Sequence, residues 1–268
     1  MSETPVGDPG GAEAATVLAK HDAGNLIRYA VHSHGRAETA ADVTANLHLA
    51  DKGQVQLDGV TLSDRAARLA PALSSLAGRT LKIGLLGEHN AANALGVAVL
   101  AAACGGTGEG ILTALAEFPG VGRRLEVRFD DGITVLDDYG HHPTAIDATL
   151  ATVRRRYPGR PLILAIEPLT YHRTAALLGP LARACAAADR VAVADIFAVR
   201  DTDLSITSAA ALAAEIRLLG TPAEAPGSVE ATADAVAATI NPHAVVVVMG
   251  GGRSTDLATR LSAALGAR

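Results

Sequence analysis

From residue 133 onward, short apolar runs alternate with helical patterns at a regular beat, and few folds accommodate that order. Strands are predicted at 133–138, 161–166, 190–196 and 244–249, and helices at 143–156, 171–188, 207–218, 228–239 and 253–266. Runs such as PLILAI and AVVVVM show no polar alternation, as expected when helices cover both faces of a parallel sheet. The back half therefore reads as a Rossmann-like layer.

The front half is less regular. Residues 1–20 are Gly, Pro, Ala and acid without period and read as a flexible tail. Strand-like runs VTANLHLA, VQLDGVTL and TLKIGLL surround DRAARLAPALSSLA, a helical pattern that Pro71 interrupts. Residues 90–117 read as two helices parted by CGGTGEG, and DDG joins RRLEVRF to GITVLDDY as a hairpin. The expected organisation is a tail at 1–20, a central domain at 21–130 and a Rossmann-like domain at 131–268.

With 49% hydrophobic residues, 3% aromatic residues and abundant alanine, the composition suits helices packed closely on sheets. A formal net charge of -5 gives no field to attract nucleic acid or an anionic membrane. The N-terminus lacks a basic, apolar leader, and no run reaches the roughly 18 apolar residues of a membrane span. A cytoplasmic protein is expected. Cys104 and Cys185 lie in alanine-rich helical patterns without a CxxC partner and read as small hydrophobes.

The chemistry concentrates in VLDDYGHHPTAIDATL. In open α/β sheets ligands sit beyond the carboxyl ends of strands, and DDYGHHPT occupies that edge. Pro143 suits the first helical position, which sets His141 and His142 beside the positive end of a helix dipole. Asp137 and Asp138 either close a turn with these histidines or help form a ligand site; in the second case His141 or His142 is the acid or base, oriented by Asp137 or Asp138, with Tyr139 beside them. MGGGRSTDLATRL offers an anion site at a helix start, although a tight strand-to-helix turn accounts for it equally. No metal-ligand spacing such as H-E-x-x-H occurs, and no metal site is expected.

LDDYGHHPTAIDATL, together with GEHNAANALGVAVLAAA, FPGVGRRLEVRFDDGITVLDDY and EPLTYHRT, resembles the Mur ligases, most of all the UDP-N-acetylmuramate:L-alanine ligase branch. The resemblance runs over about residues 80–260. It implies an α/β protein in which a partial Mur-ligase-like central domain precedes the Rossmann-like domain with its mainly parallel sheet. It also implies ATP and Mg as cofactors, and amide formation through an acyl phosphate that an amine attacks. His89, Asn90, Asn93, Arg124 and Asp138 are similar to nucleotide-binding positions, and Tyr139 and His142 to groups on the phosphate and amino-acid side. Tyr171, His172 and Arg173 fall in the amino-acid-binding segment.

The departures are as informative. The only lysines are Lys20, Lys52 and Lys82, and no G-x-x-x-x-G-K-[ST] loop is present to wrap phosphate. Relative to the family, the UDP-sugar domain and the first part of the ATPase domain are expected to be missing. Leu169 and Thr170 stand where the branch shows His-Arg, and Ala145 where it shows an acid, so the bidentate arginine grip on a carboxylate is lost. Three functions are consistent with this: a ligase completed by a P-loop-bearing partner chain, a repurposed ATP-independent enzyme of specialised metabolism acting on a nucleotide-like or amino-acid-like ligand, and a non-catalytic binding relative. A shortened sheet-based domain leaves a strand edge and an apolar face to cover, which predicts a homodimer through the N-terminal region. Light scattering at micromolar concentration should give twice the chain mass; a monomer would refute the expectation.

Overall fold

The computed structural model describes residues 27–32, 41–49, 54–86 and 88–267. The tail expected at 1–20 lies outside them, as do Lys20 and Lys52. The described residues fall into two compact units, one within the spans Met1–His48, Val55–Ile83 and Asn90–Glu117, the other within Leu49–Gln54, Gly84–His89 and Phe118–Arg268.

Four strands, β1 (Tyr29–His32), β2 (Val43–Leu49), β3 (Gln54–Leu62) and β4 (Leu81–Leu86), form the first sheet in that order. β1 and β2 run parallel, with Tyr29 opposite Val43. Helix α1 (Asp64–Leu69) starts where Ser63 Oγ accepts the Ala66 N–H at 3.2 Å. It ends before Pro71, and the chain continues as a 3-10 helix, Pro71–Leu76, because proline cannot donate the next helical bond. Leu57, Leu73, Leu76, Leu81 and Leu95 are fully buried here, the last on α2 (Glu88–Ala103), which α3 (Gly108–Glu117) follows.

The second sheet has the order β5–β6–β10–β7–β8–β9. β5 (Glu126–Asp131) and β6 (Ile133–Asp138) form the expected hairpin, turning at Gly132 with φ 71°. The pairing puts β5 in the same sheet as β6, so the domain limit expected at 130 is corrected: it would cut through a hairpin. β7 (Leu162–Glu167), β8 (Arg190–Ala194), β9 (Ala223–Gly227) and β10 (Val245–Gly250) continue the sheet in parallel. Connections run from β6 out to β9 and then back to β10, which enters between β6 and β7. Right-handed crossovers in opposite directions put their helices on opposite faces. Accordingly α4 (Pro143–Arg156), α6 (Leu178–Cys185) and α7 (Ala209–Leu218) pack on Leu136, Leu164, Val191 and Val247. Helices α8 (Val229–Thr239) and α9 (Ser254–Gly266) pack on Val135, Ile163, Val246 and Val248. Burial on both faces explains why these strands read as unbroken apolar runs.

Two expectations are corrected. The helix expected over 171–188 is two, α5 (Tyr171–Ala176) and α6, parted at Leu177, because Pro180 has no N–H to offer the Ala176 carbonyl. β9, with sequence AEAPG, is a fifth parallel strand that the apolar-run criterion misses; its proline is tolerated because the strand is at the sheet edge. No helix among the described residues is long and apolar enough to cross a membrane. Leu164 is fully buried in the central sheet. Leu164→Ala should cost about 3 kcal/mol of stability, read from the midpoint of urea unfolding.

Candidate functional site

Successive strand residues point to opposite faces, so the two aspartates that end β6 serve different neighbours. Asp138 is buried, and its carboxylate accepts the N–H groups of Gly140 at 2.8 Å and Leu125 at 3.1 Å. It closes the turn after β6 and ties down the segment before β5. Gly140 has no room for a side chain, since a Cβ there would lie 2.7 Å from Met249 Cε and 2.8 Å from Asp138 Oδ1. Asp137 faces α9, has no exposed surface, and accepts the Thr255 hydroxyl at 3.1 Å. Burial raises its pKa, and the Arg123 guanidinium opposes that shift.

Arg123 organises this edge. Its Nη2 donates to the Gly250 carbonyl and to Ser254 Oγ, both at 2.7 Å, while its Nε lies 3.6 Å from Asp137 Oδ1. That separation leaves Arg123 Nε and Asp137 Oδ1 buried and without a hydrogen-bond partner. The Arg123 carbonyl accepts the Tyr139 N–H at 2.8 Å, and the guanidinium lies 5.0 Å from the centre of the Tyr139 ring. Arg123 and Leu125 both adopt left-handed backbone, with φ 59° and 50°, a conformation that costs a side-chain-bearing residue about 1 kcal/mol or more. The sequence points to Arg124 instead; Arg124 is exposed, 5.9 Å from the same ring.

The anion site expected in MGGGRST is filled from within. Glu167, at the end of β7, is buried, and its carboxylate accepts the N–H groups of Ser254, at 2.8 Å, Arg253 and Gly252. These are the last two N–H groups before α9 and the first within it. Burial raises the Glu167 pKa, and the three N–H groups work against it. Gly252 is obligatory, because a Cβ would meet the Phe197 ring at 2.4 Å and Glu167 Oε2 at 2.8 Å. A Cβ on Gly251 would meet Leu169 at 3.0 Å and His141 at 3.2 Å, which sets Leu169 and His141 on the same loop. Sequence reasoning missed Glu167 as a site residue. Its one signal is an acid that closes an otherwise apolar strand.

The histidines are not oriented by the aspartates of β6, which corrects the expected pairing. His141 Nδ1 lies 3.0 Å from the Tyr139 carbonyl. A carbonyl only accepts, so Nδ1 carries the proton and Nε2 keeps its lone pair. The His141 ring also meets the Tyr139 ring edge-on, 5.3 Å between centres. His142 is exposed and caps α4, its Nδ1 accepting the Thr144 N–H at 3.4 Å. In the first turn of α5, His172 Nδ1 lies 2.8 Å from Asp201, whose carboxylate also accepts the Tyr171 N–H. Arg173 is exposed one residue further on. Asn90 and Asn93 lie one turn apart on α2 in the first unit, the Asn93 amide donating to Asn90 at 3.4 Å. His89 is in the first turn of the same helix, its side chain outside the described part. Among the described residues no three His, Cys, Asp or Glu side chains cluster to hold a metal ion.

Residues 123–252 match the family model described as Mur ligase, glutamate ligase domain. A UDP-N-acetylmuramate–L-alanine ligase of Acidithiobacillus ferrooxidans is 39% identical over 181 residues, 67% of this chain and 39% of that protein. One from Chromobacterium violaceum is 34% identical over 224 residues, 80% of this chain and 46% of its own length. The chain thus spans less than half the length of these relatives. Among solved structures, the UDP-N-acetylmuramate–alanine ligase of Thermotoga maritima shares the fold with a TM-score of 0.66 at 22% identity, covering 85% of this chain and 48% of that one. A murein peptide ligase of Psychrobacter arcticus gives 0.62 at 24% identity, covering 95% and 49%.

A carboxyl whose folded pKa is raised contributes stability that is full below its unfolded pKa and lost as pH rises through the folded value. For Glu167 the window opens near its ordinary value of 4.5. Urea unfolding between pH 4 and 8 should therefore show Glu167→Gln gaining on the parent protein as pH rises. A constant difference would refute this.

Proposed function

Because this chain belongs to the Mur ligase family, we propose that it serves amide-bond formation between a carboxylate and an amino-acid amine, completed by a P-loop supplied from another chain. The observation that carries this reading is the arrangement of Asp138, Tyr139, His141 and the glycine loop at one sheet edge, within a segment 39% identical to an L-alanine ligase. The edge lies at the point where β10 enters between β6 and β7, where open α/β sheets bind ligands.

ATP and Mg are the cofactors the family implies. The residues of this chain do not fit their phosphate-binding half. No Walker-type lysine loop is present in the sequence, no acidic cluster for a metal occurs among the described residues, and Glu167 already takes the Gly252, Arg253 and Ser254 N–H groups at the entry to α9. No reaction step is therefore assigned to those groups. What this edge supports is orientation of the amine partner: Leu169, standing where the resemblance expects a histidine, lies against Gly251 and gives the loop an apolar wall beside His141. An amine with a larger apolar side chain suits that wall better than L-alanine does.

A second reading rests on the His141 tautomer. An imidazole whose Nδ1–H is fixed by a carbonyl presents Nε2 as a base without needing ATP. Both readings put ligand at the same edge, and ligand-induced stabilisation tests them. Melting temperature should be measured against ATP, ADP, UDP-sugars and the common amino acids. The ligase reading expects stabilisation of about 2.7 kcal/mol by an amino acid at a hundredfold excess over its Kd. No shift with any of these ligands would overturn it.

A further inference from the structure

The pair His172 and Asp201 takes no part in the network that Arg123, Asp137, Asp138 and Glu167 form at the sheet edge. Asp201 is on the loop after β8, and its side chain is only 10% exposed, whereas that of His172 is 63% exposed. The ionised carboxylate accepts the Tyr171 N–H with one oxygen and faces His172 Nδ1 with the other at 2.8 Å. A carboxylate can only accept, so Nδ1 bears the proton and the Nε2 lone pair points away from Asp201 into solvent. The ring also holds the Asp201 carboxyl below the usual range.

The pair gains little as a stabilising device, because an ion pair whose histidine is open to solvent is screened by water. Its location is more informative. α5 starts immediately after Leu169 and Thr170; Leu169 forms a bridge with Phe197 and packs on the glycine loop beside His141. Val199, Leu204 and Ile206 are exposed on the loop that carries Asp201, so the loop that orients the base also presents apolar side chains to solvent. Arg200 and Asp203 on the same loop, and Arg173 next to His172, are charged neighbours of the pair in sequence.

We propose that His172, held in its Nδ1–H form by Asp201, accepts the proton of the incoming ammonium group. The proposal rests on the amide-forming reading of this sheet edge. In the step, one N–H bond of the ammonium breaks and its proton passes to His172 Nε2. The freed amine lone pair then forms the C–N bond at the carbonyl carbon of an acyl phosphate, the C–O bond to phosphate breaks with its electrons, and the second N–H proton of the attacking nitrogen leaves with the phosphate as hydrogen phosphate. The imidazolium returns its proton to water. The apolar loop residues would receive the side chain of the amine.

Two measurements test this. Long-range proton–nitrogen NMR of the full chain at pH 8 should show His172 as the Nδ1–H tautomer. In Asp201→Asn the oxygen stays with the Tyr171 N–H and the amide NH2 faces the ring, so the Nε2–H tautomer should take over. An Nε2–H tautomer in the parent protein would overturn the proposal. The second measurement supplies acetyl phosphate as a ready-made acyl phosphate with a panel of common L-amino acids, and follows N-acetyl product and phosphate. His172→Gln should lower the rate about a hundredfold, as expected for loss of a general base, and Asp201→Asn should lower it with the tautomer change. Unchanged product formation in His172→Gln would overturn the proton-acceptor role and leave the ligase reading standing. No amide from the parent protein with any amine would overturn both.

Discussion

The insertion of β10 into the middle of the second sheet constrains everything at the ligand-facing edge. The strand pairs with β6 on one side and β7 on the other, all six of its residues are buried, and its last residue opens the glycine loop. Two strand-end carboxylates, Asp137 and Glu167, consequently flank the start of α9. Neither can be solvated by water there, so each needs donors from the protein. Thr255 donates to one oxygen of Asp137 while the Arg123 guanidinium sets its charge 3.6 Å from the other, and the Gly252, Arg253 and Ser254 N–H groups provide for Glu167. The loop geometry and its glycines are the result of that requirement.

The same crowding explains the wall around the loop. Gly251 and Gly252 admit Leu169, His141 and Phe197 to contacts that any side chain would prevent. An anion arriving at α9 would have to displace Glu167 from three backbone N–H groups. A neutral or cationic group beside His141 faces no such competition.

The alternation of apolar runs made the doubly covered sheet legible, because burial on both faces removes polar residues from a strand and leaves a simple pattern. The hairpin at DDG and the helix opened by Pro143 were legible for local reasons of turn and cap chemistry. β9 was not, since an edge strand tolerates proline and needs few β-branched residues. The joint between α5 and α6 was hidden by an alanine-rich pattern that outweighed one Gly–Pro pair. At the site, the DDYGHHPT segment was legible as a strand-end cluster, but the partners of its side chains were not. Arg123 reaches Gly250 and Ser254 across more than a hundred residues, and no local spacing encodes that. Nor could spacing show that His142 spends its Nδ1 on Thr144, or that Asp201 rather than a β6 aspartate orients a histidine.

Arg123 meets three parts of the chain at once: its carbonyl holds the turn after β6, and its guanidinium holds the end of β10 and the first residue of α9. Its left-handed backbone is held by those attachments and by its own N–H, which donates to Glu126 at 2.9 Å. The residue therefore behaves as a knot in a three-way seam. Tension on the strand entering β5 would be felt at the glycine loop without passing through the core.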